Sequence, residues 1–219
     1  MADNTQYYTK TFENLSAEKK DRILKVITSE FANNGFEKTS VSQIAHKSGI
    51  SVGSLYKYFD SKEDMFSFVV QEGLSELRTM LSELEKADED IAVKAEIIIR
   101  EIIKFSKKKP ELIKLYCALT ADGSSELLSG FAQKIEQISA QIYTNVIEKA
   151  QETGDVRKDA NPEFFAFLLD SLFMMLQFSA SCDYYKKRFA VYMNEPFENC
   201  EELIVKEMLS FLKAAFNFK

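Results

Sequence analysis

Between Ser40 and Phe59 the chain signals two short helices back to back, with one residue free to turn between them. Ser40-Val41-Ser42-Gln43 has capping-box spacing, a serine with glutamine three residues on. Ser48-Gly49 interrupts the helix it opens, and Ser51 caps a second helix that runs to Phe59. Two helices at a steep angle need a small residue where they cross, which Ala45 supplies, and a turn residue that accepts positive φ, which Gly49 supplies four positions later. Ile44, Ile50 and Leu55 fall where apolar pins to a core are needed. The remaining face of the second helix, Ser51, Val52, Gly53, Ser54, Tyr56 and Lys57, is small or polar, as a helix must be to enter a major groove. An Ala-x-x-x-Gly pair alone fits any helical hairpin; the caps, pins and small surface together point to a DNA-reading head.

The rest of the chain is punctuated for helices. Residues Met1 to Leu15 read as a tail in which Tyr7, Tyr8 and Phe12 can pack down, and Ser16 caps a helix with Ile23, Leu24, Ile27 and Phe31 as its apolar stripe. Asn34-Gly35 stops that helix. Ser61 with Asp64 opens a long one through Leu84. Helices are then expected over Ile91 to Lys108, from Pro110 to a stop at Asp122-Gly123, over Ser125 to Thr153 before Gly154, from Asn161-Pro162-Glu163 onward, and from Pro196 to Phe216. Seven Gly and three Pro in 219 residues leave room for long helices, and no strand or repeat pattern is present. The expectation is an all-α fold of about nine helices. Residues 1–64 form a tail and a three-helix, helix-turn-helix domain, and residues 65–219 form a larger helical domain.

Charge and cysteine usage narrow the function. The net charge of −6 argues against wholesale nucleic-acid binding, but residues 1–62 balance to +2 and the remainder to −8, so a local basic face sits on an acidic protein. Cys117, Cys182 and Cys200 have neither metal-ligand nor redox spacing and read as reduced thiols. The N-terminus has no apolar signal core, and no apolar run reaches about 18 residues, so a cytoplasmic protein without membrane association is expected. His46, the one histidine, has no Cys or His within ligand spacing and reads as a solvent-facing scaffold residue. No nucleophile-base, metal or phosphate-loop constellation is available, so no enzyme and no cofactor are expected.

The stretch from Ile23 to Phe68 resembles the N-terminal domain of the TetR/AcrR family of bacterial regulators. The matching residues are Ile23-Leu24, Phe31, Asn34-Gly35-Phe36, Ser40 to Ala45, Ser48 to Phe59 and Ser61-Lys62-Glu63-Asp64-Met65, with Gly154-Asp155-Val156 ahead of Asn161-Pro162-Glu163 as a further likeness. The resemblance implies a dimeric repressor that binds double-stranded operator DNA and is released by a small hydrophobic or amphipathic effector. It implies phosphate contacts from Ser40, Tyr56 and Lys62, a phosphate or base contact from Lys57, and base-edge contacts from Val52, Gly53 and Ser54. Many relatives carry Lys or another polar residue where this chain has Val52, which leaves base preference open.

In the second domain Phe105, Tyr116, Phe131, Ile138, Tyr143, Phe173, Met174 and Phe178 are the candidates to line an effector pocket, each with plain core packing as the alternative, and Gln177, Ser181 and Cys182 are the candidates to orient a ligand. By the same resemblance the last two long helices form a homodimer interface, with Phe164, Phe167, Leu168, Ser171, Met175, Leu203, Met208 and Phe211 as its candidates. Tyr184-Tyr185-Lys186-Lys187-Arg188 reads as a solvated connector, with contact to an anion as the alternative. The rival reading is a helical ligand-binding or interaction module that no longer binds DNA.

Overall fold

The computed structural model describes residues 6–121 and 126–216, and among these every regular element is helical. In chain order the α-helices are α1 (Lys10–Glu13), α2 (Ala17–Lys38), α3 (Val41–Lys47), α4 (Val52–Tyr56), α5 (Lys62–Lys86), α6 (Ile91–Lys108), α7 (Pro110–Ala121), α8 (Glu126–Thr153), α9 (Pro162–Ser181), α10 (Asp183–Met193) and α11 (Glu201–Phe216). Nine of these have seven residues or more, which matches the expected number of substantial helices. The expected stop at Asp122-Gly123 and start at Ser125 lie outside the described residues.

Most boundaries follow from capping chemistry. Ser16, Ser51, Ser61 and Asn161 each accept a hydrogen bond from the backbone N–H three residues on, as predicted. Gly154 ends α8 at φ +81, with Asp155 N–H donating to the Ala150 carbonyl and Gly154 N–H to that of Gln151, a Schellman closure. Gly35 breaks α2 at φ 72 and ψ 170, a conformation essentially reserved for glycine.

Three expectations need correction. Ser40 occupies the cap position of α3 but makes no side-chain capping bond. Buried Thr39 holds that entry instead, its hydroxyl donating to the carbonyls of Gly35 (2.6 Å) and Glu30 (3.1 Å). Tyr184 to Arg188 is no connector but the body of α10, which Asn194 closes in the left-handed conformation. Pro196 leads only into a 3-10 turn, Phe197–Asn199, and the last helix opens at Glu201.

By length and composition α9 is also apolar enough to cross a membrane, with a mean hydropathy of 1.5. In the sequence Asp170 interrupts its apolar run, which is why run length alone did not single it out. Within this chain 39% of that stretch is buried, and the outer face carries Phe164, Phe167 and Leu168.

Two large apolar cores organise the chain. One unites Ile23, Ile27 and Phe31 of α2 with Ile44, Leu55 and Phe59, the arm residue Phe12, and residues Met65 to Leu74 of α5. It also takes in Leu115 and Leu119 of α7 and Leu128 and Phe131 of α8. The other joins Leu81 and Leu84 of α5 to α6, α8, α9 and α11. So α5 begins in the core of the head and ends in the core of the body. Residues 65 to 70 are buried all round, whereas only Leu74, Leu81 and Leu84 are buried beyond them.

Candidate nucleic-acid interface and ligand cavity

The head is built to hold α4 outward. At the end of α3, Ile50 N–H donates to the Ala45 carbonyl (3.0 Å) and Gly49 N–H to that of His46 (3.1 Å). With Gly49 at φ 68, this is a second Schellman closure, and it sets the angle at which α4 departs. Ala45 and Leu55 are buried where the two helices meet. On the opposite side Ser51, Val52, Gly53, Tyr56 and Lys57 are exposed and Ser54 is half-buried. Ser51 and Ser54 hydroxyls lie 2.9 Å apart, and Ser51 Oγ caps α4. A Cβ placed on Gly53 would meet nothing closer than Ser51 Oγ at 4.0 Å, so its value is a bare backbone surface rather than relief of an internal clash.

Lys62 is placed differently from the free phosphate clamp that was expected. Its ammonium donates to the carbonyls of Phe36 (3.0 Å) and Glu37 (3.3 Å) and lies 4.5 Å over the Phe36 ring. The carbonyls at a helix end carry partial negative charge, so Lys62 ties the start of α5 to the end of α2. His46 is exposed, as read from the sequence.

Sequence reasoning missed two supports. The arm passes behind α4: Thr9 donates from its hydroxyl to the Lys57 carbonyl (2.6 Å) and from its N–H to that of Tyr58 (3.0 Å). Phe12 anchors the arm, its ring 4.9 Å from that of Phe59 and 5.5 Å from that of Phe68. Glu30, buried in α2, takes the ammonium of Lys47 and so braces α3. A Thr9 cap three residues before Phe12 was the available signal for the arm; the Glu30–Lys47 pair had none, since 17 residues separate its members.

The body holds a cavity walled by α5, α6, α7, α8 and α9, with room of about 90 Å³. A ligand much larger than one ring must therefore displace side chains. Of the predicted lining residues, Phe105, Tyr116, Tyr143, Met174 and Gln177 are on its wall, whereas Phe131 packs in the head core, Ser181 donates its hydroxyl to the Ser106 carbonyl and Cys182 lies in a separate small cluster. Ile138 packs between the two main cores, Phe173 is buried in the body core, and Phe178 sits in a small cluster with Ile113 and Cys182. Those three pack where neighbouring helices meet, which periodicity cannot separate from a cavity wall. The wall also includes Asp170 and Ser139, which were not expected. Asp170 was the discoverable one, as the only charge between Phe164 and Cys182.

Burial and the neighbouring Glu136 push the Asp170 carboxyl up to about 7, against a bond from Ser139 that lowers it. Tyr116 donates its hydroxyl to Glu136 Oε1 at 2.8 Å. Burial raises the phenols of Tyr116 and Tyr143 as well, so both stay protonated. The three cysteines are free thiols; burial raises those of Cys117 and Cys182, the latter to about 12, which leaves neither reactive.

The predicted interface residues of α9 and α11 are exposed or half-buried. Phe164, Phe167 and Phe211 are 58%, 63% and 58% exposed, with Leu168 and Leu203 beside them; Ser171, Met175 and Met208 are half-buried.

Comparison with known proteins follows this division. Residues 23–68 match the family model "Bacterial regulatory proteins, tetR family". The HTH-type transcriptional regulator YhgD of Bacillus subtilis is 23% identical over 164 residues, covering 75% of this chain and 85% of that protein. A TetR family transcriptional regulator from Chloroflexus aurantiacus superposes with a TM-score of 0.70 at 21% identity, over 95% of this chain and 97% of that one. The Bacillus subtilis regulator FadR, solved with stearoyl-CoA, does so with 0.65 at 15%, over 87% and 97%.

Proposed function

The chain belongs to the TetR family of DNA-binding, helix-turn-helix transcriptional regulators, and from that premise we propose that it is a homodimeric repressor released from its operator by a small apolar or amphipathic effector. It acts in the cytoplasm on double-stranded DNA. Val52, Gly53 and Ser54 meet base edges. Tyr56 and Lys57 hold phosphates through their exposed hydroxyl and ammonium, Ser40 adds a phosphate contact, and Ser51 orients α4 as its cap. Lys62 positions the head and reaches phosphate with its remaining N–H. Five-residue α4 is too short to specify a site alone, so a second copy is needed. Phe164, Phe167, Leu168, Leu203 and Phe211 supply the apolar surface for it, pairing α9 and α11 of each copy into a four-helix bundle.

One observation carries the ligand response: Val70, Leu74, Leu115 and Leu119 line the body cavity and are at the same time core residues of the head. Close-packed interiors transmit displacement, so a ligand that spreads α5 from α7 must shift the packing under α2. A coupling of about 1–3 kcal/mol is enough to lower operator affinity severalfold or more. The solved relative in complex with stearoyl-CoA is a precedent for a ligand bound by this fold. Here a cavity of about 90 Å³ favours a small molecule, with Met80 and Met174 as adaptable wall residues.

The test is selection of bound duplexes from a random-sequence DNA library by the full-length protein. Enrichment of a near-palindrome with half-sites about one helical turn apart is expected, with affinity falling steeply as salt rises. Failure to enrich any sequence would sink the reading.

A further inference from the structure

The polar end of the body cavity has one sign of charge. Among its lining residues are Asp170 and Glu76 and no Lys, Arg or His. Glu76 is neutralised by Lys109 at 2.9 Å. Asp170 is not paired with any cation among the described residues. From α8 it faces Ser139, which hydrogen-bonds to it, together with Glu136 and the phenol of Tyr143. From α7, Tyr116 stands beside Glu136. Asp170 thus stands beside a second carboxyl group and no cation among the described residues offsets it, so the polar end of the cavity favours a positive group. Glu136 is exposed and Asp170 half-buried, so this acid pair lies at the mouth, over an apolar interior.

A second observation points to a missing partner. Tyr143 is only 4% exposed and lines the same cavity, yet no described hydrogen bond takes up its hydroxyl. A buried polar group without a partner is costly, and a ligand that meets it recovers that cost.

We propose that the effector is a cation: a protonated amine on a compact apolar body, with its ammonium held by Asp170 and Glu136 and its body inserted beside Met174, Phe105 and Tyr143. This rests on the ligand-responsive reading above and names the class of ligand. It also makes this cavity a poor site for a carboxylate, sulfate or phosphate ester, which would meet the acid pair directly.

Three probes of one shape test it: 2-phenylethylamine, 2-phenylethanol and phenylacetate, titrated calorimetrically into the full-length protein at pH 8. The amine is expected to bind about tenfold more tightly than the alcohol, with phenylacetate weakest. Asp170→Asn is expected to erase the amine's advantage while leaving the alcohol's affinity unchanged, and Glu136→Gln to reduce it. Because the ammonium competes with the proton on Asp170, amine affinity in the wild type is expected to rise from pH 6 to pH 8, and in Asp170→Asn to stay flat. Alcohol or phenylacetate binding as tightly as the amine would overturn the cation assignment and leave the ligand-responsive reading standing. Binding by none of the three would overturn it too. The broader reading falls separately, if filling the cavity leaves DNA affinity unchanged.

Discussion

The head and the body of this protein solve opposite problems. The head must keep a small surface dry of its own side chains and rigidly aimed, so its polar groups are tied inward: Thr9 to the end of α4, Thr39 to α2, Lys62 to the α2 carbonyls, Lys47 to Glu30. The body must admit something, so it leaves polar groups unresolved, with Asp170 paired to no cation among the described residues and the Tyr143 hydroxyl unmet. A recognition surface is prepared by bracing the helices beneath it, even though Glu30 Oε2 and Ser48 Oγ stay without a partner there among the described residues. A ligand site is prepared by leaving a specific need unsatisfied.

The strongest way to break this comparison is to separate the two heads while sparing both regions. Phe167→Asp with Phe211→Asp puts charge on the exposed apolar face of α9 and α11. Light scattering is expected to show a monomer, and operator affinity to fall about 100-fold or more, because two linked heads lose their avidity. A variant that stays dimeric would move the interface elsewhere.

Next in size, Tyr56→Ala with Lys57→Ala removes contacts from the head alone. Anisotropy on the selected operator is expected to show roughly 100-fold weaker binding, with a salt slope shallower by about two for the dimer. Dimerisation and amine binding should be unchanged, and a loss of either would show that head and body are not separable.

Gly49→Ala probes rigidity without touching DNA. No atom lies within 4 Å of the added Cβ, so the cost is that of the left-handed backbone, about 1–2 kcal/mol. Thermal denaturation should show a Tm lower by about 2–8 °C. An unchanged Tm would mean that the closure at Ile50 is not what aims α4.

The smallest expected effect belongs to the body. A carboxyl raised to about 7 is most favourable to folding below its ordinary range near 4, and its cost grows as pH rises through 7. Asp170→Asn should therefore raise Tm at pH 8 by roughly 2–4 °C after screening at the mouth, with the gain shrinking toward pH 5. A gain independent of pH would show that Asp170 does not titrate as its surroundings imply.

The two regions were also unequally legible in the sequence. The α3–α4 turn could be read residue by residue, because capping, a small crossing residue and positive φ act within a few positions of one another. The same locality placed the starts of α2, α5 and α9 at Ser16, Ser61 and Asn161, whereas the apolar residues of α9 and α11 were singled out through the family resemblance. Only tertiary structure decided that Ser40 leaves its capping role to Thr39, that Lys62 is held by α2, and that Phe173 is core while Tyr143 is cavity wall. It also decided that Asp170, one charge in an apolar helix, stands against Glu136 from another helix. Hydrogen bonds three or four residues apart are written in the order of the chain. Which faces of α5, α7, α8 and α9 enclose a space depends on contacts between residues far apart in sequence, and no local pattern specifies those.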